Sequence, residues 1–186
     1  GFGVQNPFTD VKEKDYFYDA VLWAVKEGIT EGTGRRTFSP DGVCTRAQIV
    51  TFLYRAAGSP AVGYGQTRFA DVYANDYYAD AVRWAVETGI TEGVGAMAFA
   101  PDSVCTREQV VTFLYRYAKL TGAPVEEKGG KVLSDFTDSA SVSGYARTAT
   151  QWALNARILE GSNGKLNPQA ACSRAQIVTL LYRMLG

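Results

Sequence analysis

Histidine is absent from all 186 residues. A Ser-His-Asp or Cys-His catalytic device and a histidine-based zinc site are therefore excluded, and the commonest proton shuttle near neutral pH is missing. Cysteine is scarce: three residues, none in a CxxC pair. An odd count argues against a closed disulfide framework. Net charge is also lacking, since 19 basic residues balance 19 acidic ones. No uniform basic field exists to hold nucleic acid or an anionic membrane, although a local basic cluster still suits one small anion. No apolar run is long enough to span a bilayer, so membrane insertion is not expected. No leader sequence is recognisable and Gly1 reads as a trimmed start, so the compartment must be inferred by another route.

What the chain does have is self-similarity. Trp23, Trp84 and Trp152 sit in LWAVKEGITEG, RWAVETGITEG and QWALNARILEG. Downstream follow Cys44-Thr45-Arg46-Ala47-Gln48, Cys105-Thr106-Arg107-Glu108-Gln109 and Cys172-Ser173-Arg174-Ala175-Gln176. Upstream stand Phe8-Thr9-Asp10-Val11, Phe69-Ala70-Asp71-Val72 and Phe136-Thr137-Asp138-Ser139. Three landmarks recur in one order three times, with the motif arginines 61 and then 67 residues apart. The units divide as 1–58, 59–122 and 123–186, the second and third each opening on a linker.

Each unit reads as helix, loop, helix. In the first, residues 16–27 carry Phe17, Val21, Ala24 and Val25 at helical spacing, and Gly28 is a natural stop because it accepts the left-handed conformation. Turn residues Gly32, Gly34, Pro40 and Gly42 mark the loop 29–43. Thr45 with Gln48 then forms a capping box that starts the second helix, as do Thr106 with Gln109 and Ser173 with Gln176. Ile49, Val50, Phe52, Leu53 and Ala56 make that helix's apolar stripe, which Gly58 ends. A unit of this size buries little surface alone. The expected fold is all-α: three helix-loop-helix repeats in a pseudo-threefold spindle, with the second helices forming a central three-helix bundle. The linkers 59–68 and 123–135 are expected on the surface, the second exposed and mobile because it holds Glu126, Glu127, Lys128, Gly129 and Gly130.

The sequence Phe-x-Asp-Val, a tryptophan helix, Gly-Ile-Thr-x-Gly, Phe-x-Pro and Thr-Arg-Ala-Gln resembles the S-layer homology domain, here in three tandem copies from Phe8 to Leu185. The family's Thr-Arg-Ala-Glu motif stands here as TRAQ, TREQ and SRAQ. The resemblance implies a non-catalytic wall-anchoring module without a cofactor, a monomeric fragment of a larger surface protein located outside the cell. Its implied partner is secondary cell-wall polysaccharide, often a pyruvylated N-acetylmannosamine, held in inter-repeat grooves.

The residue chemistry suits such a ligand. A pyruvyl ketal carries a carboxylate, which calls for an arginine fork, backbone N–H groups and an aromatic wall. Arg46, Arg107 and Arg174 open helices, where free N–H groups and the helix dipole favour an anion. Gly28 and Gly89 would allow close backbone approach to a sugar, and Tyr16, Tyr77 and the tryptophans are candidate walls. The other reading of the arginines is structural, pairing with Asp10, Asp71 or Asp138 to hold a prong in place; Asp10 and Asp71 are themselves counted among the candidate ligand-binding residues. The tryptophans favour a core over a ligand wall, since one at the same helical position of each repeat is more often buried. The third repeat departs from the pattern at Arg157 (for Gly28 and Gly89), Leu159 (for Thr30 and Thr91) and Leu166-Asn167-Pro168. At most two competent grooves are therefore expected, the one using the third loop being degenerate or altered in specificity, with Arg46 and Arg107 outweighing Arg174. The cysteines precede their N-caps, where a hydrophobic staple packs Cys44 on Ile49, Cys105 on Val110 and Cys172 on Ile177; that reading displaces a three-thiolate metal site.

Two further function classes stay open on the residues. The grooves suit a peptide or neighbouring subunit, making the module a protein–protein scaffold, and some family members contact modified peptidoglycan instead of a secondary polysaccharide. A glycosidase would need paired carboxylates. Asp135 with Asp138 and Asp76 with Asp80 are the candidates, and neither pair has an apolar surround that would raise one pKa.

Overall fold

The computed structural model describes residues 5–122 and 126–186. Gly1 and the start of the second linker, residues 123–125, lie outside them. The fold is all-α. Six helices run in order as α1 (Tyr18–Lys26), α2 (Arg46–Ala56), α3 (Ala79–Glu87), α4 (Arg107–Thr121), α5 (Arg147–Asn155) and α6 (Arg174–Leu185), with 3-10 turns at Leu133–Asp135, Ser139–Ser141 and Gly144–Ala146. Among the described residues, extended pairing is confined to isolated bridges.

The second helix of each repeat starts where the capping box demands. Thr45, Thr106 and Ser173 each accept from the third helical N–H, and the glutamine there accepts from the cap's own N–H. The first helices begin later than the apolar pattern suggests. Asp15 takes the Lys12 N–H at 2.7 Å and Asp76 takes the Tyr73 N–H at 2.8 Å. Each aspartate closes a turn just ahead of its helix, leaving Tyr16 and Tyr77 outside it. Gly28 and Gly89 end α1 and α3 with φ of 73° and 81°, the left-handed conformation that costs glycine nothing. Arg157 adopts the same conformation after α5, with φ of 56°.

The principal helix contacts run between repeats. The second helix of one repeat packs on the first helix of the next: α2 on α3, α4 on α5, and α6 back on α1. The tryptophans sit in these seams. Trp23 packs on Tyr182, Trp84 on Tyr54 and Tyr117, and Trp152 on Tyr115, with ring centroids 5.4–6.2 Å apart. Trp23 and Trp84 are buried, so burial of these large rings stabilises the seams. One apolar cluster runs through all three repeats.

A ring of backbone bonds ties the starts of the second helices together. Cys44 N–H donates to the Cys172 carbonyl at 2.9 Å, Cys105 N–H to Cys44 at 2.8 Å, and Cys172 N–H to Cys105 at 3.0 Å. All three side chains are fully buried thiols. Burial pushes the Cys105 thiol up to about 12 and the Cys172 thiol up to about 11, and Cys44 higher still, so they stay protonated and serve as small apolar side chains. The described part of the second linker, residues 126–135, is largely exposed, and Lys128 N–H donates to the Asn155 carbonyl at 2.8 Å, which lays residues 128–130 over the end of α5.

Candidate functional site

The motif arginines reach across repeats. Arg46 Nε donates to the Phe99 carbonyl at 2.8 Å, Arg107 Nε to Leu166 at 2.9 Å, and Arg174 Nε to Phe38 at 2.9 Å. The same loop residues bind the aspartates from their other side. Asp10 accepts from the N–H groups of Phe38 and Ser39, Asp71 from Phe99 and Ala100, and Asp138 from Leu166 and Asn167, all at 2.8–2.9 Å. Ser39, Ala100 and Asn167 are held with positive φ. Arginine and aspartate are therefore joined through one loop residue, with its N–H on the carboxylate and its C=O on the guanidinium. Among the described residues no direct ion pair links them; the pairs present are Arg83 with Asp80 and Arg183 with Glu160. Burial alone would raise the Asp71 and Asp138 carboxyls, but the paired N–H donors hold both below the usual value.

Two equivalent grooves follow from this geometry. One is lined by Arg174, Thr30, Gly32, Phe52, Arg55 and Tyr77. The other is lined by Arg46, Thr91, Gly93, Phe113, Arg116 and Tyr145. They enclose about 270 and 290 Å³, and each takes its loop and helix from one repeat, its deep arginine from the repeat before and its tyrosine from the repeat after. Arg46 is only 7% exposed and Arg174 only 5%. Each guanidinium lies over two rings: Arg46 over Phe99 and Phe113, Arg174 over Phe38 and Phe52, at 4.8 and 5.6 Å in both cases. Burial lowers the pKa of both arginines from the usual guanidinium value. Arg46 Nη2 is buried and has no hydrogen-bond partner among the described residues. A second arginine stands on each groove helix, Arg55 Nη1 donating to Ile29 O and Arg116 Nη1 to Ile90 O.

The candidate residues from the sequence are distributed as follows. Tyr77 is 68% exposed and forms a wall of the Arg174 groove. Tyr16 is 67% exposed and occupies the corresponding turn of the first repeat. Gly28 and Gly89 have open space where a Cβ would stand; Gly89 lines a cleft with Thr91, Glu92 and Gly93 beside the Arg46 groove. Gly32 and Gly93 are packed tightly within their own repeats: a Cβ would fall 2.6 Å from the rings of Phe8 and Phe69. Sequence reasoning read Gly32 only as a turn residue and passed over Gly93, Arg55, Arg116 and Tyr145. A signal existed for the last: Tyr16, Tyr77 and Tyr145 each precede their tryptophan by seven residues.

The structure also assigns loops to arginines differently from the linear reading. The third repeat's loop meets Arg107, not Arg174. That seam has Leu166 and Leu180 where the other two have phenylalanines under the guanidinium, and Leu159 where they have threonine. Arg107 is correspondingly less buried than Arg46 and Arg174. Arg157 Nη2 approaches the Gly129 carbonyl at 3.5 Å, and Arg157 lines a cleft with residues 129–131 that also takes in Leu159 and Glu160.

The S-layer homology domain pattern matches three times, over residues 7–50, 68–111 and 135–178. The chain belongs to the S-layer homology domain family. It is 32% identical over 178 residues to the surface-layer 125 kDa protein of Lysinibacillus sphaericus, covering 94% of this chain and 14% of that protein. It is 28% identical to an amylopullulanase of Thermoanaerobacterium thermosulfurigenes, over 99% of this chain and 10% of the relative. It is 29% identical to an endoglucanase of Bacillus sp. (strain KSM-635), over 96% and 19%. The chain thus spans less than a fifth of the length of these relatives. Membership of the S-layer homology family places it at the bacterial cell wall or cell surface, with a role in cell-wall anchoring. Among the described residues no helix is long and apolar enough to cross a membrane.

Proposed function

We propose that this S-layer homology triplet is a non-catalytic anchor that holds a larger surface protein on secondary cell-wall polysaccharide, by docking pyruvylated sugar ends in the grooves of Arg46 and Arg174. The segments 1–58, 59–122 and 123–186 are its sequence units; none is proposed to fold alone, because each groove needs residues from three repeats. The observation that carries the reading is the buried Arg46 guanidinium, stacked between two rings with Nη2 left without a partner. A buried cationic donor with nothing to bond is costly, and a carboxylate approaching along the groove would satisfy it with a charge-assisted bond. Arg116 and Tyr145, which line the same groove, supply the second cation and the wall. Two such grooves on one chain turn modest single-site affinity into avidity on a repeating polymer. The Arg107 seam has lost both rings and the threonine, and is proposed to be weak or altered.

The test is co-sedimentation with purified cell walls before and after mild acid removal of ketal-linked pyruvate. Binding that disappears with the pyruvate supports the anchor mechanism. Binding indifferent to pyruvate would transfer the grooves to modified peptidoglycan, and absence of wall binding would leave the scaffold reading.

A further inference from the structure

Glu108 is the one residue of the second-helix motifs whose chemistry the anchor does not use. The matching positions are Ala47 and Ala175. Glu108 is 6% exposed, yet its carboxylate is fully occupied. Oε2 accepts from Ser143 N–H at 2.9 Å. Oε1 accepts from Ser143 Oγ at 2.7 Å, Gln169 Nε2 at 3.3 Å and the Tyr145 hydroxyl at 3.5 Å. All of these donors belong to the third repeat, whereas Glu108 lies in the first turn of α4 in the second. Its negative charge is favourable at that helix start.

The third repeat shows why this contact is needed. In the first two repeats the turn bearing the groove tyrosine is closed from within, by Asp15 just before Tyr16 and Asp76 just before Tyr77. The residue before Tyr145 is Gly144, which has no side chain to close anything, and the segment from Asp138 to Tyr145 is one residue longer than its counterparts. The capping carboxylate is thus lost from the turn and returns from the neighbouring helix. The loop residue facing it has changed to match. Asp41 and Asp102 become Gln169 in the third repeat, and an amide donates to Glu108 where a second carboxylate would repel it. Gln169 Nε2 also bonds the Ser141 carbonyl at 2.7 Å, drawing the lengthened segment into the same knot.

We infer that Glu108 is a positioning residue for the groove on α4: it fixes the turn 143–146 and the Tyr145 hydroxyl, so that the Tyr145 ring stands as the groove's wall opposite Arg46 and Arg116. The inference rests on the glycan reading of that groove. It makes the two competent grooves unequal in construction, one with a wall closed by its own repeat and one with a wall held across the seam.

The test uses the full chain, with fluorotyrosine placed at position 145, in wild type, Glu108→Ala and Glu108→Gln. Alanine already stands at the sister positions, so the helix start tolerates it. The probe is a methyl glycoside of N-acetylmannosamine carrying a pyruvyl ketal, titrated calorimetrically well below the thermal midpoint. In Glu108→Ala the fluorine line narrows as the ring is released, and affinity at one of the two sites falls about tenfold while the other is unchanged; Glu108→Gln, which keeps one acceptor, lies between. A purely stabilising Glu108 would lower the midpoint and leave line width and both affinities as they were, which overturns the inference. A narrowed line with two unchanged affinities also overturns it, since Tyr145 would then not matter to the groove. If wild type binds no probe, the glycan reading falls instead, and the fluorine line alone decides whether Glu108 positions Tyr145.

Discussion

Arg174 and Phe38, 136 positions apart in the chain, are joined by a hydrogen bond of 2.9 Å from Nε to the backbone carbonyl, and the guanidinium lies over the Phe38 ring. This contact closes the ring of repeats and at the same time forms the floor of a groove. Arginine at this position therefore has a structural task on Nε, while its contact with a ligand is part of the proposed function.

Replacing it should show both parts. Arg174→Ala is expected to lower stability by about 2–3 kcal/mol in urea denaturation, from the lost charge-assisted bond and the uncovered carbonyl. Arg174→Lys is expected to recover little of this, because an ammonium cannot reproduce the Nε geometry and the ring stacking together. Equal stability of wild type and Arg174→Ala would show the contact to be energetically idle.

The aspartates predict an acid limb. Asp71 and Asp138 have carboxyls held below their usual value in the folded state. The unfolded chain takes up protons first as pH falls, so stability is complete above the ordinary carboxylate value of about 4 and is lost as pH drops through the lower folded value. Urea midpoints at pH 3 and pH 6 should differ in wild type, and differ less in Asp71→Asn, which is weaker at both. A pH-independent midpoint over this range would contradict the assignment.

The thiols predict the opposite limb. Cys105 and Cys172 titrate near 12 and 11 in the fold, against about 8.5 in an unfolded chain. Above that pH the unfolded state loses protons first, so stability declines as pH rises. Native protein at pH 8 should leave a thiol reagent nearly unreacted, and three thiols should react in denaturant. Fast reaction of the native protein would place the cysteines at the surface.

The glycines separate two roles. Gly93→Ala puts a methyl 2.6 Å from the Phe69 ring at a φ of 90°, and is expected to cost about 2–3 kcal/mol and distort the Arg46 groove. Gly28→Ala meets only open space, and is expected to cost about 1–2 kcal/mol for its left-handed backbone alone. Thermal melts of the two variants decide the order.

Much of this was legible in the chain. The Thr45–Gln48 capping box, the stops at Gly28 and Gly89, the apolar stripe from Ile49 to Leu53 and the recurrence of Trp23, Trp84 and Trp152 are local signals, because caps, turns and helical periodicity act over a few residues. The Arg157 and Leu159 departures likewise marked the third loop as different.

What the sequence determined by itself was three helical repeats with an arginine at each second-helix start. The tertiary structure alone decided which arginine meets which loop: Arg107, and not Arg174, faces the altered third loop. It also brought Tyr145 of the third repeat onto Glu108 of the second. The physical reason is that second helices bury their stripes against the following repeat's first helix. Such a pairing is fixed by packing between distant segments, and no short-range pattern records it.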